Sequence, residues 1–180
     1  MQVSDRNKAY SGNVEWYTPQ RIMNIVRCTL DTIDLDPAST PFANETVQAN
    51  HFYTKEEDGL SRPWFGNIFC NPPYSGGMMP KFADKLLGEF REGRIAQAIM
   101  LTNSATDTQW YHDLLMECTA ACLTKGRIRF VSPDGEPGKS PVMGQTFFYF
   151  GPRPRIFRGN FVQLGSLVFP TDEYQMPMPF

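Results

Sequence analysis

Histidine is scarce, with two residues in 180, and the four cysteines (Cys28, Cys70, Cys118 and Cys122) include no C-x-x-C pair. With only His51 and His112 to complete it, a zinc site has little support, so no metal is expected and the thiols read as buried and free. No apolar run approaches the ~20 residues needed to cross a bilayer, and the stretch from Met1 to Tyr10 is too polar for a signal peptide. A soluble, cytoplasmic protein without a membrane partner is expected. An excess of charge of one sign is missing too, since 17 Lys and Arg against 19 Asp and Glu leave a net charge of −2. Any contact with nucleic acid must then come from a local basic patch rather than from the field of the whole molecule.

What is present is ordinary globular material, 41% hydrophobic and 20% charged, without repeats or low-complexity segments. This length fits one domain over residues 1–180 with a real core, and the polar stretch from Met1 to Asn13 reads as a loose arm. Thr18-Pro19 reads as an N-cap followed by proline at the first helical position, opening a helix from Pro19 to Leu30 with Ile22, Ile25, Val26 and Leu30 on one face. Strand candidates follow at Ile33 to Asp36, Phe52-Tyr53, Phe65 to Cys70, Ile95 to Leu101 and Ala120 to Thr124. Helices are expected between them, one from Asn44, one from Pro80 to a stop at Gly93, and one capped by Asp107. The alternation predicts an α/β fold, a sheet with parallel strands covered by helices on both faces. Arg127 to Val131 and Gln145 to Phe150 then predict a C-terminal antiparallel hairpin, with a last strand between Phe161 and Phe169.

In such sheets ligands sit beyond the carboxyl ends of the strands. Two strand ends carry unusual chemistry, Asp36-Pro37-Ala38-Ser39 and Asn71-Pro72-Pro73-Tyr74, and if their strands are parallel and adjacent they face one crevice. Adjacent prolines hold the backbone extended and remove two N–H donors, leaving carbonyls that can only accept. The Asn71 side-chain oxygen and the Pro72 carbonyl can then accept both hydrogens of an exocyclic amine and hold its lone pair out of conjugation, while Tyr74 offers a face for a base turned out of a duplex. Lys125, Arg127 and Arg129 alternate as cations on one face of a strand would, suited to phosphate contacts that position a duplex without reading its sequence. Trp110 and the arginines 153, 155 and 158 are weaker candidates for such contacts.

Asn71 to Tyr74 resembles the catalytic motif of amino-methyltransferases acting on adenine, cytosine or certain glutamines. Its surroundings resemble the phage-type DNA N6-adenine methyltransferase (Dam-like) family over about Glu15 to Gly151. The resemblance implies a Rossmann-like sheet and transfer of a methyl group from S-adenosylmethionine to the N6 amine of adenine in double-stranded DNA, in a bacterial or phage-infected cell. It also implies that Trp16, Tyr17, Thr18 and Pro19 pack on the cofactor, that Asp36, Pro37, Ala38 and Ser39 form its loop with Asp36 facing its ammonium, and that Asp58 and Leu60 contact its adenine. The usual glycine-rich loop is replaced by Ala38-Ser39, and Asn103 and Ala105 stand where relatives often have proline and arginine. No obligatory protein partner is implied. Methylation of RNA adenine or protein glutamine remains open, as does a non-catalytic DNA- or cofactor-binding protein of the same fold.

Overall fold

The computed structural model describes residues 17–74, 76–132 and 142–170. Helices α1 (Gln20–Leu30), α2 (Pro41–Val47), α3 (Met78–Arg91), α4 (Gln109–Glu117) and α5 (Pro154–Phe161) alternate with strands β1 (Leu35–Asp36), β2 (His51–Phe52), β3 (Gly66–Cys70), β4 (Ile95–Asn103), β5 (Ala120–Thr124), β6 (Gln145–Phe150) and β7 (Gly165–Val168). The strands form one sheet in the order β2-β1-β3-β4-β6-β5-β7. Its first four strands run parallel, while β6 runs antiparallel to both β4 and β5, and β7 antiparallel to β5.

The two-residue period of a strand sends successive side chains to opposite faces. Phe69, Ile99, Leu101, Phe147 and Tyr149 join the core beneath α1, α2 and α5, while Ile68, Cys70, Met100, Phe148 and Phe150 join the core beneath α3 and α4. Every residue of β6 is buried, as expected of an interior strand covered on both sides. The helices turn matching stripes inward: Ile22, Met23, Val26 and Leu30 of α1 to one face, Phe82, Ala83, Leu86 and Leu87 of α3 to the other.

Several boundaries differ from the expected ones for local reasons. Pro19 is the N-cap of α1 rather than its first residue, because its carbonyl already accepts from Ile22 and Met23 N–H; Thr18 is left outside the helix. Thr108, not Asp107, caps α4, and its hydroxyl donates to the Ala105 carbonyl. Helix α2 begins at Pro41, three residues before Asn44, with the Thr40 hydroxyl accepting from Ala43 N–H at 3.0 Å. Helix α3 begins two residues before Pro80, a proline that the first turn tolerates.

One larger expectation fails. Residues 127–130 are not a strand and make no hairpin with β6: Ile128 N–H donates to the Gln145 side chain at 2.8 Å, and Val131 forms a single antiparallel bridge with Tyr17. The backbone bonds of Ile128 and Val131 are thus made outside a ladder, although Ile128 and Phe130 are buried and the arginines beside them exposed. The last strand expected between Phe161 and Phe169 forms as β7, while the stretch before it, for which no element was expected, is helix α5, begun by Pro154 at its first turn and anchored by Phe157 and Phe161 one turn apart. Cys28 is exposed, whereas Cys70, Cys118 and Cys122 are buried. The expected arm, residues 1–13, lies outside the described residues.

Candidate active site

The condition set by the sequence holds: β1 and β3 are adjacent and parallel, with Leu35 opposite Ile68, so Asp36 and Asn71 emerge at the same end of the sheet. Around β1 the chain folds into a tight cradle. The Asp36 carboxylate accepts from Ala38 N–H at 3.1 Å, the Asp36 carbonyl accepts from Tyr53 N–H at 3.0 Å, and Ser39 N–H returns to the Tyr53 carbonyl at 2.9 Å. Pro37 and Ser39 are buried and Ala38 is half-buried. Gly59 lies so close that a Cβ there would collide with the Pro37 carbonyl, and its own carbonyl accepts from the Trp64 indole N–H at 2.8 Å. This contact brings Asp58 and Leu60 beside the Asp36 loop; Asp58 is exposed in a left-handed backbone conformation, and Leu60 is half-buried.

Asp36 is only 3% exposed, and burial pushes its carboxyl up to about 7 against the opposing pull of Ala38 N–H and the nearby Ser39 hydroxyl. Ser39 Oγ, although close to that carboxyl, completes no hydrogen bond with any described residue. A buried hydroxyl without a partner carries a desolvation cost that an incoming polar ligand could relieve. Burial, and secondarily the Asp36 charge, pushes the Cys70 thiol well up, so the last residue of β3 is a neutral packing group.

At the end of β3, Asn71 and Tyr74 are half-buried, Pro72 is buried and Pro73 is exposed. Asn71 Nδ2 donates to Thr18 Oγ1 at 3.3 Å, and the Tyr74 hydroxyl donates to Asn71 Oδ1 at 2.7 Å and toward the Leu101 carbonyl at 3.4 Å. Thr18 is buried and Pro19 half-buried; Tyr17 is tied to Val131 by backbone bonds of 2.8 and 2.9 Å in the two directions and packs against Phe42. Trp16 lies outside the described residues. At the end of β4, Ala105 is buried and its N–H donates to the Asn103 carbonyl at 2.8 Å.

Lys125, Arg127 and Arg129 are all exposed. Lys125 and Arg127 line a cleft of about 100 Å³ with Arg21, Thr124 and Gln163, whereas Arg129 is not part of its lining. Arg21, from the first turn of α1, was missed by sequence reasoning because it is remote in sequence from the other cations; only the position of Thr18-Pro19 at the helix start gave a signal. Arg153 belongs elsewhere, holding Asp31 and the Thr29 carbonyl at the far end of α1. Trp110 packs against the core beside α3 and α4. Among the described residues no group of three or more His, Cys, Asp or Glu is placed to hold a metal, and no helix is long and apolar enough to cross a membrane.

Among the described residues, a mixed seven-stranded sheet with five helices is consistent with an α/β methyltransferase fold. The family model described as DNA N-6-adenine-methyltransferase (Dam) matches residues 7–153, and the chain belongs to that family. Among curated proteins, none matches the chain.

Proposed function

We propose that this chain, a single domain built on a Rossmann-like sheet, transfers a methyl group from S-adenosylmethionine directly and in line to the N6 amine of adenine in double-stranded DNA, the base being turned out of the duplex. The observation that carries the reading is the meeting of two strand ends: β1 closes on a buried carboxyl and β3, its parallel neighbour, on an amide followed by two prolines. The donor set fits the cofactor, since Asp36 offers a carboxylate to an ammonium and the Ser39 hydroxyl is buried without a partner among the described residues.

S-adenosylmethionine, when bound, supplies an electrophilic methyl group. Asp36, Pro37, Ala38 and Ser39 would hold its amino-acid end, Asp58 and Leu60 its adenosine, and Trp16, Tyr17, Thr18 and Pro19 would pack along it. The Asn71 side-chain oxygen and the Pro72 carbonyl accept the two amine hydrogens and free the N6 lone pair. Neither needs to act as a base. Holding the amine in that geometry supplies most of the rate enhancement, because oriented reactants gain up to about 7–11 kcal/mol over free encounter. Tyr74 presents its ring to the extruded base. Lys125, Arg127 and Arg129, with Arg21 across the cleft, neutralise phosphates and hold the duplex in register.

Asn71→Ala should abolish methyl transfer to DNA while cofactor affinity survives, measured by incorporation of labelled methyl groups and by calorimetry. Turnover close to that of the unaltered protein would refute the assignment of Asn71. Mass spectrometry of nucleic acid and protein from cells expressing the chain should find N6-methyladenine in DNA; label confined to RNA or to glutamine would move the substrate.

A further inference from the structure

An amide side chain has an accepting end and a donating end, and each end of Asn71 is met by a hydroxyl from a different part of the chain. Nδ2 donates to Thr18, 53 residues upstream, and Oδ1 accepts from Tyr74, three residues downstream. Thr18 is well placed to hold its end still. It is 5% exposed, it lies between the bridge from Tyr17 to Val131 and the capping residue Pro19, and it contributes nothing to the cap. Its hydroxyl is therefore available to the amide, with both neighbours fixed by backbone bonds. Tyr74, by contrast, follows two prolines and comes just before the left-handed glycines 76 and 77, a segment whose conformation only glycine adopts readily.

We propose that Thr18 is a positioning residue that pins the nitrogen end of the Asn71 amide so that its oxygen faces the crevice, and that the Tyr74 hydroxyl stands in the ligand-free protein for the N–H of the substrate amine. The proposal rests on the reading of Asn71 as the amine-orienting group. It gives the Thr18 hydroxyl a role beside the packing along the cofactor that the family resemblance implies, and Thr18→Val keeps that packing. Without the Thr18 hydroxyl the half-buried Nδ2 loses its acceptor, and the amide turns to find another, taking Oδ1 with it. When the amine arrives, the hydroxyl of Tyr74 gives up Oδ1 and its ring becomes available for stacking.

The test uses the full chain with DNA and S-adenosylmethionine. Thr18→Val, which keeps the shape of the side chain and removes the hydroxyl, should lower kcat about a hundredfold, the loss that a misplaced reacting group brings, with cofactor Kd within about twofold of the unaltered protein. Thr18→Ser should restore kcat to within a few fold, which also separates the hydroxyl from any folding defect. Unchanged kcat in Thr18→Val, or a loss of cofactor affinity that accounts for the whole effect, overturns the positioning role. Tyr74→Phe keeps the ring and releases Oδ1, and KM for DNA should fall about two- to tenfold, the worth of one net hydrogen bond; an unchanged or raised KM overturns the stand-in. Asn71→Ala assayed alongside keeps the two readings apart: if it still turns over, the underlying assignment fails, and if it is inactive while Thr18→Val is fully active, only the positioning role fails.

Discussion

The proton on Asp36 connects the candidate cofactor loop to pH. Burial raises this carboxyl from 3.8 to about 7, so between those values the folded chain keeps a proton that the unfolded chain has released. Its contribution to stability therefore falls as pH rises through that window, and the full cost is present above about pH 7. A cationic ligand reverses the preference, because an ammonium against Asp36 favours the ionised form. Affinity for S-adenosylmethionine should weaken about tenfold per pH unit below about 7 and level off above it, and Asp36→Asn should flatten the profile at lower affinity. Calorimetric titration across that range checks this, and a flat profile for the unaltered protein would remove Asp36 from the ligand's charged end. At this scale the sequence was informative for Asp36 and Asn71, which sit where hydrophobic runs end. It was silent on Thr18 and Asn71 touching, and on Gly59 lying against Pro37, since both depend on chain segments that only the folded sheet brings together.

Among the elements, α5 was hidden and β5 was plain. Ala120 to Thr124 is a short apolar run bounded by polar residues and forms the strand expected of it. Residues 152–155 alternate proline with arginine, which hides a helix, yet Pro154 suits a first turn and Phe157 and Phe161 fall one turn apart. Phe157 stacks on Tyr149 and on Phe161, with ring centroids at 5.2 and 4.2 Å. Phe157→Ala should cost about 3–5 kcal/mol by leaving a cavity under α5, measured by urea unfolding, with methyl transfer per folded molecule unchanged. A loss much under 1 kcal/mol would mean that α5 lies loosely on the sheet. The opposite error, at residues 127–130, has a matching cause. Alternating burial records which side chains face the core, whereas a strand also needs a partner for its backbone, and here the Gln145 side chain takes the Ile128 N–H and Tyr17 bridges Val131 just beyond.

Over the whole molecule a net charge of −2 conceals a local excess of cations where Arg21, Lys125 and Arg127 share a cleft. If this cleft meets phosphates, Arg127→Ala should weaken DNA binding alike for all sequences and reduce the slope of log affinity against log salt by about 0.9; fluorescence anisotropy over a salt series reads both, and an unchanged slope would place the duplex elsewhere. The layered α/β plan was legible because alternation of helix and strand follows from period alone. The strand order was not, because β6, late in the chain, enters between β4 and β5, which precede it. That insertion also governs biosynthesis. Until residues 145–150 have left the ribosome, β4 and β5 have no neighbour between them, so one edge of β4 and both edges of β5 stay without a hydrogen-bonding partner. Closure of the sheet therefore depends on contacts distant in sequence, the kind of pairing that slows folding.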